Sequence, residues 1–320
     1  MSNCHQEFSS FSDKILLADT KEKNLRRGRD SLREKIKGYY SEHNKKLPVF
    51  RGQGSFSMRT TIFQKDEDYD LDDGVYLLHL SENKSDWPKT EAIHEEIIEA
   101  VDGHTDIPTI DKHACIRVQY KNEYHIDLAI YCENNGKKYL ARRGDEQWEE
   151  NDPLLFRDWF DKKVSDYGEQ FRRLCKYIKK WAYYKGYSEI TGFLITILVG
   201  NNFQTGYWDR DDQALEKTLD HIVSDLAVNK RIIRPVAPYK NMTVKYSEEK
   251  FVEKFTNRFT TFQTKARAAI QESDKDRACK IWQEMFGEDF PDASGEKNEK
   301  GDAQLKVPAV IKTEMRPWGE

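Results

Sequence analysis

Near Asn151 the chain changes its hydrophobic period, and that change limits the folds open to it. Before it, runs with two-residue alternation read as strands: 69–80 (YDLDDGVYLLHL), 113–120 (HACIRVQY) and 123–131 (EYHIDLAIY). After it, 153–185, 188–200, 211–226, 248–271 and 275–286 all carry helical spacing. In the first half, helices are expected only over 13–46, from Ser55 or Phe56, and over 89–101 behind Pro88. Strands gathered in one half and helices in the other make an α+β chain, with a mixed sheet lobe, a helical lobe and a cleft between. The expected boundaries are 1–160 for the core with its long N-terminal helix, 161–286 for the helical lobe, and 287–320 for an acidic, mobile tail.

Charge and cysteine usage exclude several classes. With 52 basic and 56 acidic side chains the formal net charge is -4, so no general attraction to nucleic acid or anionic membrane follows. The 16 Phe, 16 Tyr and 7 Trp are far too many for a disordered chain. Cys4, Cys115, Cys132, Cys175 and Cys279 form no CxxC and no paired-ligand spacing, and the histidines form no HExxH. The residues before Lys14 lack the basic and apolar regions of a signal peptide. The longest apolar run, 192–200 (GFLITILVG), falls well short of the roughly 20 residues a membrane helix needs. A reducing, cytoplasmic setting without a membrane is the expectation.

The chemistry concentrates in three places. In Asp70-Leu71-Asp72, residues at i and i+2 of a strand project from one face, so two carboxylates point one way while Leu71 points inward. Carboxylates so close repel, and a hard divalent cation such as Mg2+ relieves the repulsion. Gln53-Gly54-Ser55 combines tight backbone approach with a hydroxyl, which suits a phosphate. Asp127, set between Ile126 and Leu128 in a half-buried strand, needs a partner. Each has a plain alternative: a solvated acidic turn, a helix capped by Ser55, and a buried salt bridge from Arg117 to Asp127. Taken together and in this order, the three form the layout of a two-metal phosphoryl or nucleotidyl transfer site. Opposite them, 162–185 carries eight basic side chains and two acids. Lys176 and Lys179 can share one side of that helix, facing a triphosphate, or can simply lie along a solvated face.

These residues resemble a known family. Gln53-Gly54-Ser55-Phe56, Tyr69 to Tyr76 (YDLDDGVY) and Tyr124 to Tyr131 (YHIDLAIY) are similar to the bacterial cGAS/DncV-like nucleotidyltransferases (CD-NTases) of CBASS anti-phage defence. The resemblance is nearest to their cyclic GMP-AMP synthase DncV branch and runs from about 50 to 240. It implies a DNA polymerase β-like nucleotidyltransferase fold and synthesis of a cyclic di- or oligonucleotide from ATP and a second NTP such as GTP. It implies two Mg2+ ions, replaceable by Mn2+, on Asp70, Asp72 and Asp127. Gln53, Gly54 and Ser55 would hold donor phosphates, with Lys176 or Lys179 reaching them from the second lobe. Ser188 or Thr191 would add a hydroxyl, and Arg117 would touch a base. The resemblance further implies activity without DNA and an effector that responds to the product. In some relatives an E1/E2-like enzyme conjugates the C-terminus, here Arg316 to Glu320. Two alternatives stay open: an RNA-tailing or small-molecule-modifying transferase of the same fold, and a non-catalytic nucleotide-binding module.

Overall fold

The computed structural model describes residues 1–64, 69–78, 80, 82–121, 124–144 and 148–293. Two apolar strands form its centre. β2 (Tyr69–Leu77) and β5 (Tyr124–Asn134) lie parallel, with Leu71 opposite Ile126 and Val75 opposite Ile130. β1 (Val49–Gln53) adds to the free edge of β2 antiparallel. The other edge of β5 is long enough to take two partners end to end. β4 (Ile116–Tyr120) covers its first half and β6 (Lys137–Ala141) its second. β3 (Ile110–Asp111) and β7 (Trp148–Glu150) complete a mixed sheet.

One face of this sheet is covered by α2 (Asp19–Glu42) and α4 (Thr90–Val101), which bury Leu25, Leu32, Ile36, Ile93 and Ile97 against Leu71, Val75, Ile126 and Leu128. Burial on that face explains Asp73, the fifth residue of YDLDD. It points away from Asp72, is fully buried, and receives two hydrogen bonds from Arg33 of α2 at 2.7 and 2.6 Å.

The helical lobe consists of α5 (Pro153–Tyr167), α6 (Glu169–Tyr184), α7 (Gly192–Asn202), α8 (Asp211–Asn229), α9 (Glu248–Phe251), α10 (Asn257–Gln271) and α11 (Lys275–Phe286). The helix expected over 153–185 is two helices, because Gly168 at φ +73° turns the backbone between them. Asp152 caps the first, accepting from the Leu154 and Leu155 N–H groups ahead of Pro153. The expected stripe of Phe171, Leu174, Ile178 and Ala182 is buried, and Trp181 stacks on Phe262 at 4.6 Å. The 188–200 helix begins only at Gly192, capped by Thr191.

The N-terminus departs furthest from expectation. No single helix runs over 13–46: α1 (His5–Lys14) ends where Leu16 pairs with Ile62 in a β-bridge, and α2 starts afresh at Asp19. α1 and α5 belong to the core of the helical lobe, through Cys4, Phe8, Phe11, Phe156 and Phe160, so a boundary at 160 divides the chain differently from its packing. At the other end Phe290 is fully buried against Phe8 and Phe286, so a tail free from 287 does not hold for 287–293. The tail from 294 lies outside the described residues, as do 65–68, His79 and the Asn122 side of the 121–122 turn.

Candidate active site in the cleft

A single row of residues crosses four strands. In the parallel β2–β5 register Asp72 stands opposite Asp127 and Asp70 opposite His125. Gln53 of β1 is opposite Asp72, and Arg117 of β4 is opposite Asp127. Side chains in register on neighbouring strands share a face, as do i and i+2 on one strand. Asp70, Asp72 and Asp127 are therefore on one face, turned away from α2 and α4 and toward the helical lobe.

Glycine at 54 is dictated by that row. A Cβ there, where φ is +66°, would lie 1.8 Å from Asp72 Oδ2. The turn after β1 thus brings backbone directly over the carboxylate, and α3 (Gly54–Ser57) is a single helical turn. The loop that follows ties the two lobes together. Thr61 Oγ1 lies 2.9 Å from Ser55 Oγ. Fully buried Thr60 accepts from Lys179 Nζ of α6 through its hydroxyl at 2.8 Å and its carbonyl at 3.1 Å.

The electrostatics are those of a site short of positive charge. Burial, and then the neighbouring charges of Asp70 and Asp127, push the Asp72 carboxyl up to about 8. Burial brings Lys179 down to about 8 despite the attraction of Asp70 and Asp72. His125 is lowered by burial first and by Arg117 second.

A cavity of about 730 Å³ opens between the lobes, with Gly54, Ser55, Asp70, Asp72, Lys179, Ser188 and Thr191 in its wall. A second cavity, of about 340 Å³, shares Gly54, Met58, Asp72 and Phe193 with the first and takes in Gln53 and Tyr131.

Three candidates line neither cavity: Asp127, Lys176 and Arg117. Lys176 is buried and does not line either cavity; its electrostatic neighbours are Glu169, Arg172, Arg173 and Asp13. A three-residue step on a helix turns the side chain far enough that only Lys179 meets the cleft. Arg117 gives two hydrogen bonds to Asp127, both at 2.7 Å, and lines neither cavity. The structure thus joins it to a carboxylate rather than placing it on the wall against a base. Thr60, Thr61, Gln64, Tyr183, Tyr187 and Phe193 line the main cavity without having been singled out as site residues. Tyr183 and Tyr187 stand in the aromatic stretch 181–187, whose spacing suits helix packing as well as contact with a base, and nothing local in the sequence marks the threonines.

The residues present fit a hard divalent cation. They offer carboxylate oxygen and hydroxyl donors, and the Asp72 carboxyl, raised by burial and by the charges of Asp70 and Asp127, is in surroundings that a cation would relieve. Among the described residues, the only group of three or more His, Cys, Asp or Glu with ligand atoms all within 4.8 Å of one another is Cys4, Glu7 and Cys279; Asp70, Asp72 and Asp127 are not drawn together that closely. At the cleft, Arg117 holds both oxygens of Asp127.

Comparison with known proteins gives matches of family and of fold. Residues 48–131, from β1 through most of β5, match the family described as cyclic GMP-AMP synthase DncV-like, nucleotidyltransferase domain. The cyclic GMP-AMP synthase of Vibrio cholerae serotype O1 is 24% identical, over a stretch spanning 42% of this chain and 42% of that protein. Folds agree over much more. The apo structure of Vibrio cholerae DncV superposes with a TM-score of 0.74 at 18% identity, covering 91% of this chain and 96% of the other. CdnC of E. coli MS115-1 with ATP gives 0.71 at 17%, covering 91% and 99%. The architecture is the bilobed polymerase β-like nucleotidyltransferase fold, and at the level of family the chain matches the DncV-like members of the CD-NTases.

Proposed function

We propose that this chain is a metal-dependent nucleotidyltransferase that joins ATP and a second NTP, such as GTP, into a cyclic di- or oligonucleotide. The observation that carries the reading is the approach of the Gly54 backbone to Asp72, beside Asp70 and Lys179, in the wall of a cavity large enough for nucleotides. Family-level similarity supports it: one related structure is DncV in complex with the linear intermediate 5′ pppA(3′,5′)pG.

In this reading Asp70 and Asp72 hold two Mg2+ ions, with Mn2+ an effective substitute, and Asp127 completes the site. Ions held by these residues would supply charge to neutralise the triphosphate and departing pyrophosphate and would acidify the attacking ribose hydroxyl. The protein's own groups do the rest. Ser55 and the Gly54 backbone steady the donor phosphates, and Lys179 meets them from the other lobe. Asp127 accepts the hydroxyl proton at a carboxylate oxygen. Arg117 orients Asp127 through two hydrogen bonds, and Gln53 stands in register beside Asp72. Ser188 and Thr191 supply hydroxyls across the cavity. Each transfer forms one phosphodiester and releases one pyrophosphate; a second transfer within the linear product closes the ring.

By the same reading the enzyme is cytoplasmic, needs no DNA, and feeds an effector that responds to the cyclic product in anti-phage signalling. Conjugation of the C-terminus by an E1/E2-like enzyme belongs to this proposal too, on residues outside those described. No helix among the described residues is long and apolar enough to cross a membrane. The test is incubation with ATP, GTP, CTP and UTP plus Mg2+ or Mn2+, with products identified by mass. Phosphatase-resistant product is expected from the native chain and none from Asp70→Asn with Asp72→Asn. Equal synthesis by that double variant would overturn the assignment.

A further inference from the structure

The N-terminal helix is held to the last helix by two thiols. Cys4, the residue that precedes α1, and Cys279, in the middle of α11, are 1% and 0% exposed, and their Sγ atoms lie 4.0 Å apart across 275 residues of sequence. Their surroundings fix both. The Cys4 N–H donates to Asp212 Oδ2 at 3.1 Å, and one turn along each helix Lys275 pairs with Glu7 at 2.9 Å. All five cysteines of the chain are free thiols, and no other pair among them makes a thiol contact in the described residues.

We propose that Cys4 and Cys279 form a disulfide when the protein meets a peroxide, stapling α1 to α11. At 4.0 Å either sulfur can donate to the other, so the contact lets either thiol supply the thiolate. That thiolate attacks hydrogen peroxide, forming an S–O bond as the O–O bond breaks and hydroxide leaves to be protonated to water. The partner sulfur then attacks the sulfenic sulfur, the S–S bond forms, the S–O bond breaks, and a second water leaves. Two thiols and one peroxide become one disulfide and two waters, with two electrons passing from sulfur to oxygen.

Glu7 gives the cluster a third ligand for a metal ion. Its carboxylate, however, already pairs with Lys275, and no fourth ligand joins the set. The dithiol reading is therefore the better supported.

The staple has a route to the cleft. α1 ends at Lys14, and the Ile15 carbonyl accepts from the Phe63 N–H at 2.8 Å, beside the Leu16–Ile62 bridge. Ile62 and Phe63 are in the wall of the larger cavity. Fixing α1 to α11 fixes the strand of wall that hangs on it.

The test uses the full chain, reduced and then treated with hydrogen peroxide. Unfolding in denaturant followed by alkylation counts free thiols, and tryptic digestion locates any link. The expected result is a fall from five labelled thiols to three, with residues 1–14 joined to 278–280 in a species lighter by two hydrogens. Native mass spectrometry of the reduced protein, given zinc, should find no tightly held ion. Amide exchange at Phe63 should slow on oxidation, and should not respond in Cys4→Ser. Five thiols after peroxide, a link between other cysteines, or a zinc ion retained by the reduced pair would each overturn the proposal. Unchanged exchange at Phe63 in the linked protein would overturn its coupling to the cleft.

Discussion

Asp72 and Asp127 stand opposite each other on adjacent parallel strands, and a two-pronged ion pair from Arg117 closes the row behind Asp127. A sheet that sets two carboxylates side by side builds repulsion into its centre. Arg117 offsets part of it, and the Asp72 carboxyl is raised by its burial first and by the charges of Asp70 and Asp127 after that.

The first prediction concerns Arg117. Replacing it with Met leaves Asp127, 9% exposed, without its partner. Removing one member of a buried pair costs about 3–5 kcal/mol, and partial exposure of Arg117 reduces this to roughly 1–3 kcal/mol. Thermal melts of Arg117→Met should show that loss without cation and recover much of it with Mg2+.

Thr60 is expected to act through Lys179. Its hydroxyl is one of two acceptors on the ammonium, and a hydrogen bond to a charged group contributes about 1.5–3 kcal/mol. Thr60→Val should raise KM for the triphosphate by about tenfold with kcat little changed, and Thr60→Ser should restore it. On a Lys179→Ala background the same change should add almost nothing, which a double-mutant cycle measures directly.

Cation binding should strengthen with pH. The folded chain favours the acid form of Asp72, so its contribution to stability is full below its ordinary value of 3.8 and is lost as pH rises through about 8. Lys179 is lowered, so its contribution is present above 10.5 and lost as pH falls through about 8. Both changes favour a divalent ion at high pH, where Asp72 is charged and Lys179 is neutral. The rise in Tm produced by a fixed Mg2+ concentration should be larger at about pH 9 than at about pH 6. A rise independent of pH would remove Asp72 from the cation site.

Gly54 tolerates no side chain. Gly54→Ala adds a methyl 1.8 Å from Asp72 Oδ2 in a left-handed backbone, so either the turn or the carboxylate must move. Activity should fall at least a hundredfold while circular dichroism still reports the mixed fold.

Much of this was legible because it is periodic. The alternation of Asp70, Leu71 and Asp72 fixes which face each takes, and Gly54 and Asp127 stand out as residues that ordinary strands do not favour. β6 and β7 were missed because each is short, and Lys137, Lys138, Glu149 and Glu150 mask their alternation. α1 was missed because HQEFSSFSDK looks like a polar leader until Phe8 and Phe11 find Trp282, Phe286 and Phe290 nearly 280 residues away. Lys176 could not be told from Lys179 without knowing how α6 is rotated against its neighbours, and the roles of Thr60 and Thr61 depend on a loop path that no local pattern encodes.

The most direct measurement is the anomalous scattering of Mn2+ in crystals of the protein grown with a non-hydrolysable nucleoside triphosphate. Two peaks are expected, both within bonding distance of Asp70 and Asp72, with an Asp127 oxygen on one of them. Strong nucleotide density with no manganese peak at these aspartates, or with Asp127 still wholly engaged by Arg117, would contradict the account.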